Sequence, residues 1–163
     1  MREDLIHVAI RRFLAAQKWT LLAGQYPDGS DDLPALNIVD PTVARDQSPD
    51  PRRHSANKLV PDLVAYKGRI MPLIEMKPRY SEEDEAKLID LLFNRRASLL
   101  LALEAFLTVH PIPLTRPVDK LVFMPCLGFA ADSIYLPNPS FCYFRVRDIN
   151  TVDFVGNAIL PEL

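Results

Sequence analysis

The chain has 163 residues, a net charge of −2, and 48% hydrophobic and 25% charged residues. That length predicts one domain, 1–163, with a real hydrophobic core, and the composition excludes a disordered or fibrous chain. The mild acidity excludes a protein coated in basic residues to hold nucleic acid non-specifically, and the longest apolar stretch, 97–109, is too short to span a bilayer and contains Glu104.

Residues 3–17 predict an amphipathic helix. Ile6, Ile10, Phe13 and Leu14 form one stripe with Leu5 and Ala9 alongside, while Arg2, Arg11, Arg12 and Lys18 fall mostly elsewhere. His7 lies one turn after Glu3 and Asp4, so the three can share a face. The opening MREDLIH has no apolar signal region, so no membrane and a cytoplasmic location are expected. Residues 19–23 (WTLLA) read as a strand. Residues 24–57 carry five prolines and many aspartates, which predicts a long, partly flexible loop with a short strand at 36–39. Within it, Arg52, Arg53 and His54 shortly precede the next strand. They are candidate nucleic-acid-binding residues, contacting phosphate, and a solvated loop accounts for them equally well.

The stretch 58–77, KLVPDLVAYKGRIMPLIEMK, is the most informative. Two apolar runs flank Lys67-Gly68, which predicts a hairpin with a two-residue turn. Pairing Tyr66 with Arg69 puts Asp62 opposite Leu73 and diagonal to Glu75. Side chains alternate with period two, so Asp62, Glu75 and Lys77 then share one face. Diagonal neighbours are roughly 7–8 Å apart, within reach of one ion. Ionised groups on a half-buried strand are costly unless something pairs with them. Two converging carboxylates suit a hard divalent cation such as Mg²⁺, and a lysine beside it suits activation of water against a phosphodiester. The plainer alternative is a structural hairpin whose acids face solvent or pair with Lys or Arg.

Ser81 is a good helix N-cap with Asp84 at the capping-box position, so a helix over 82–109 is predicted, ending before Pro111. Ile89, Leu92, Phe93, Leu99, Leu100, Leu103 and Phe106 recur at threes and fours and should pack on a sheet. The second half of the helix is apolar nearly all round, which points to a second layer or a dimer mate. Lys87, Arg95 and Arg96 would meet phosphate or, more commonly, form a solvated face. Strands are expected at 120–124 and 141–146, with 127–139 irregular apart from a short strand at 133–136, and one short helix in 148–163. Cys126 and Cys142 sit in apolar runs and read as reduced core cysteines, without the spacing of a metal site. The order predicts an α/β fold, a mixed β-sheet flanked by helices.

Pro61-Asp62 followed by Glu75-Met76-Lys77 resembles the PD-(D/E)XK motif of the restriction-endonuclease-like nuclease superfamily, where the motif sits on adjacent strands. Pro27-Asp28 and Pro49-Asp50 have no strand around them. The resemblance implies a restriction-endonuclease-like core and an endonuclease, a hydrolase cleaving DNA with Mg²⁺ or Mn²⁺. Asp62 and Glu75 would hold the metal, Lys77 would orient the attacking water, and Glu3 or Asp4 on the first helix would add a third acid. Cutting both strands would call for a homodimer. The opening D-L-I-H-x-A-I-R-x-x-L, then W-T-L, is also similar over about the first twenty residues to the cyanobacterial element-excision controlling proteins, thought to share this fold. The rival expectation is a catalytically silent regulatory or accessory protein of a mobile element or defence system on the same fold.

Overall fold

Six apolar strands pair into one mixed sheet in the computed structural model, which describes residues 1–28, 32–38 and 60–156. Helix α1 (Glu3–Ala16) leads into β1 (Thr20–Gly24). After the long loop come β2 (Leu63–Tyr66) and β3 (Ile70–Met76). Helix α2 (Glu82–Ile89), a π-helical turn (Asp90–Asn94) and helix α3 (Arg96–Val109) precede β4 (Val122–Ala130), β5 (Cys142–Asp148) and β6 (Thr151–Val155). The strands lie side by side in chain order. The pairs β1–β2, β2–β3 and β5–β6 are antiparallel, and β3–β4 and β4–β5 are parallel. Parallel neighbours need a crossover rather than a tight turn. The α2–α3 unit supplies the first, and the irregular segment 131–141 supplies the second. The α/β class with a mixed sheet and flanking helices thus follows the sequence expectation. No helix among the described residues is long and apolar enough to cross a membrane.

Two apolar layers sandwich the sheet. Ile6, Ala9, Ile10 and Leu14 of α1 pack on Leu63, Ala65, Ile74, Met76, Cys126 and Phe144. Leu88, Leu91, Leu99 and Leu103 of the α2–α3 unit pack on Val64, Met71, Leu73, Leu127 and Phe129. Odd and even residues of β3 therefore go to opposite layers, as strand pleating requires. Cys126 and Cys142 are free, buried and register partners across β4–β5. Leu73 is fully buried at the middle of a central strand. Leu73→Ala is expected to cost roughly 3–4 kcal/mol, seen as a lower urea midpoint at unchanged slope.

The hairpin register differs from the expected one by two residues. Lys67 pairs with Ile70, each donating its N–H to the other's carbonyl at 3.0 and 3.1 Å, so the turn is Gly68-Arg69. Of these two, only Gly68 takes a left-handed φ (+62°), the pattern of a type II′ turn with glycine first. A slip of two preserves every side chain's face. It moves Asp62 from the diagonal of Glu75 to the position opposite it, one step beyond the Leu63–Ile74 pair.

The predicted single helix over 82–109 is broken. Asp90 holds the break: its carboxylate accepts from Asn94 Nδ2 (2.9 Å) and Arg95 Nε (2.7 Å). The Arg95 N–H reaches back five residues to the Asp90 carbonyl (3.1 Å), the bond that defines a π turn. The extra residue shifts the helical phase. Leu88, Leu91 and Leu92 face the core, while Ile89 and Phe93, expected there, are turned outward. Downstream, β4 runs to Ala130 instead of ending at 124, 133–136 forms no strand, and the described part of the tail expected to hold a short helix supplies β6 instead, 157–163 lying outside the described residues. Residues 36–38 form no strand, although Leu36 and Ile38 are buried; residue 39 lies outside the described residues.

Candidate functional site

Asp62, Glu75 and Lys77 come together where β2 begins and β3 ends, because the hairpin sets the two strands antiparallel. Asp62 Oδ2 accepts the Met76 N–H at 2.8 Å, which fixes its carboxylate against the end of β3. Glu75 is only 3% exposed. Its Oε1 lies 2.7 Å from Lys87 Nζ, an ion pair formed by a residue of α2. Lys87 is anchored by donating to the Val60 carbonyl at 3.1 Å.

Electrostatically the two acids oppose one another. Burial pushes Glu75 up to about 8, the Asp62 charge adds to the rise, and the Lys87 ammonium works against it. Burial raises Asp62 as well, against the pull of the Met76 N–H, the two lysines and a hydrogen bond with Glu75. Burial also raises Asp84 on α2, countered by Lys77 and Lys87. For Lys77 burial acts downward, but the charges of Glu3, Asp84, Asp62 and Glu75 outweigh it and hold its pKa above the usual lysine value. Four acids thus surround two lysines, and the excess negative charge in a partly dry corner attracts a cation or, failing one, a proton.

The N-terminal acids divide. Glu3 Oε1 lies 3.7 Å from Lys77 Nζ and 4.0 Å from His7 Nε2, so Glu3 joins the site through the lysine. Asp4 is paired with Arg2 at the surface and accepts the Leu5 N–H. His7 is fully buried beside the Tyr26 ring, centroids 5.5 Å apart. The Arg11 guanidinium lies over the same ring, 4.0 Å from its centroid. Arg11 is therefore buried rather than on the solvated side, because Tyr26 from the loop after β1 covers it. Arg52, Arg53 and His54 lie outside the described residues.

Lys87 and Asp84 are the site residues that motif reading passes over. The signal for them is helical phase: Asp84, Lys87, Leu88 and Leu91 are spaced three, four and seven apart, and the two leucines are fully buried. A lysine on the stripe that packs against the sheet needs an acid there, and Glu75 is that acid. Among the described residues, no group of three or more His, Cys, Asp or Glu is arranged to hold a metal ion. The chain matches no protein-family model and has no significant match among curated proteins or solved structures.

Proposed function

We propose that the chain is a Mg²⁺- or Mn²⁺-dependent nuclease with a restriction-endonuclease-like core, hydrolysing phosphodiester bonds in DNA. The observation that carries the reading is the pair of carboxyls opposed across β2 and β3, both raised by burial, with Lys77 one residue past the strand end. A divalent cation would relieve what burial and mutual repulsion make costly. Mg²⁺ is commonly held by one or two carboxylates, with water and substrate phosphate completing its shell, so two acids suffice. Asp62 and Glu75 would hold it. The cation would supply Lewis acidity and neutralise charge building on the phosphate oxygens.

The chain's own groups have separate tasks. Lys77, half-exposed and held above its usual pKa, stays a cation that orients water toward phosphorus and steadies the phosphate. Glu3 fixes the position of the Lys77 head, and Lys87 fixes the rotamer of Glu75. DNA as partner, a homodimer for double-strand cutting and a cytoplasmic location belong to the same reading. The test is cleavage of plasmid, linear duplex and branched DNA with Mg²⁺ or Mn²⁺. Lys77→Ala is expected to lower the rate by roughly 10²–10³-fold while leaving the fold intact. Cleavage that survives Lys77→Ala unchanged would remove the lysine from the chemistry.

One observation favours a second reading. The Lys87 ammonium already sits on Glu75, where a cation would bind. On that reading lysine replaces the metal, and the chain is a catalytically silent regulatory or accessory protein of a mobile element or defence system. Thermal stability with and without Mg²⁺ separates the two: an active site is stabilised by the ion, a lysine-filled one is not.

A further inference from the structure

A second site lies at the other end of β4. Strand β5 begins at Cys142, opposite Cys126, so residues 122–125 of β4 have β3 on one side and, among the described residues, no strand on the other. The notch left there is a cavity of about 270 Å³ under the π turn and the segment 138–141. Leu92 and Phe93 from the turn, Phe123 and Pro125 from β4, and Phe141 form its walls. Phe93, 75% exposed, stands at the mouth, where the π turn's phase shift has put it. Turns of this kind concentrate at functional sites because they give up regular helix bonding to re-aim side chains.

Arg96 is the charged side chain lining this cavity, beside the neutral polar Asn138 and Ser140. In a parallel strand, alternate residues address alternate neighbours. The Val122 N–H donates to Arg69 (2.8 Å) and the Gly128 carbonyl accepts from Lys77 (3.0 Å), so the even-numbered residues address β3. Phe123 therefore turns its N–H and its carbonyl toward the notch, and Pro125 has no N–H to offer. Arg96 adds a guanidinium, its Cζ 5.2 Å from the Phe123 ring centroid. Among the described residues it joins no ion pair, and the lining contains no acid. One guanidinium with further neutral polar groups and no carboxylate, in an otherwise apolar cavity, favour an anion with an apolar body. The volume is at the low end of small-molecule sites, roughly 300–1,000 Å³, which leaves out nucleotides.

We propose that this cavity binds a small aryl or branched-alkyl monocarboxylate, its carboxylate on Arg96 and the Phe123 N–H and its apolar body against Phe93, Pro125 and Phe141. The site is separate from the Asp62–Glu75 corner and stands whether or not the chain cleaves DNA. The test is an amide-resolved NMR titration of the ¹⁵N-labelled full chain with 3-phenylpropionate and 4-methylpentanoate, each beside its neutral amide, to roughly 10 mM. A ligand at that level detects binding as weak as millimolar. At least one carboxylate is expected to shift the amides of Phe93, Phe123 and Phe141 saturably and to bind about tenfold more tightly than its amide. Arg96→Gln, at an exposed position, should keep the spectrum and lose about that same tenfold, the worth of one charge-assisted contact. Absence of saturable shifts at these residues with both acids overturns the proposal. So does equal binding of acid and amide, or an Arg96→Gln variant that binds as well as the parent.

Discussion

Between about pH 5 and pH 8 the metal-free protein is expected to lose roughly 3–5 kcal/mol of stability, and Glu75→Gln to remove most of that loss. The cause is the Glu75 carboxyl, which burial and the neighbouring Asp62 raise from 4.5 to about 8 in the fold. The folded chain keeps a proton that the unfolded chain gives up near pH 4.5. The stability contributed by that proton is fully present below the unfolded value and is lost as pH rises through about 8. Asp62 is shifted in the same direction and adds to the slope. Glutamine fills the same space and hydrogen-bonds without titrating, so its stability should be nearly level over this range. Urea midpoints at pH 5, 6.5 and 8.5 with a chelator present measure this directly. Parallel curves for the two proteins would show that Glu75 does not carry the buried charge.

The legible part of this site is what strand parity controls. Asp62, Glu75 and Lys77 share a face because side chains alternate, and a register error of two residues left that conclusion intact. An error of one would have reversed it. The α1 stripe was largely readable from helical spacing: Ile6, Ile10 and Leu14 are buried with Ala9 beside them, while Phe13 is half-buried and Leu5 exposed. Tertiary context decided the rest. Pro125 cannot donate to a ladder, yet β4 runs through it because that position faces the notch, where no neighbour needs a donor. The π turn depends on Asp90 bonding to both Asn94 and Arg95, an arrangement with no periodic signature. For Lys87 the sequence allows a phosphate contact or, more commonly, a solvated face, and only the burial of Leu88 and Leu91 shows that its face meets the sheet.

Replacing that lysine is the most discriminating perturbation of the site. At pH 8, Lys87→Met should destabilise the metal-free protein by roughly 2–3 kcal/mol. Breaking a buried pair usually costs more, but Glu75 can take up a proton and limit the loss. At pH 5, Glu75 holds that proton with or without the lysine. The loss should then shrink to about 1 kcal/mol, the worth of the hydrogen bond to the Val60 carbonyl. Removing the ammonium also clears a positive charge 2.7 Å from Glu75 Oε1. Divalent cation should therefore stabilise the variant more than the parent, with the difference largest at pH 8, where proton and metal no longer compete. Melting curves of both proteins with and without Mg²⁺ yield either of two results. If both are stabilised and the variant more so, the carboxyl pair is a metal site that Lys87 tunes, as the nuclease reading requires. If only the variant responds, Lys87 is the site's permanent cation, and the parent chain holds the geometry of a nuclease with its metal position filled by its own side chain.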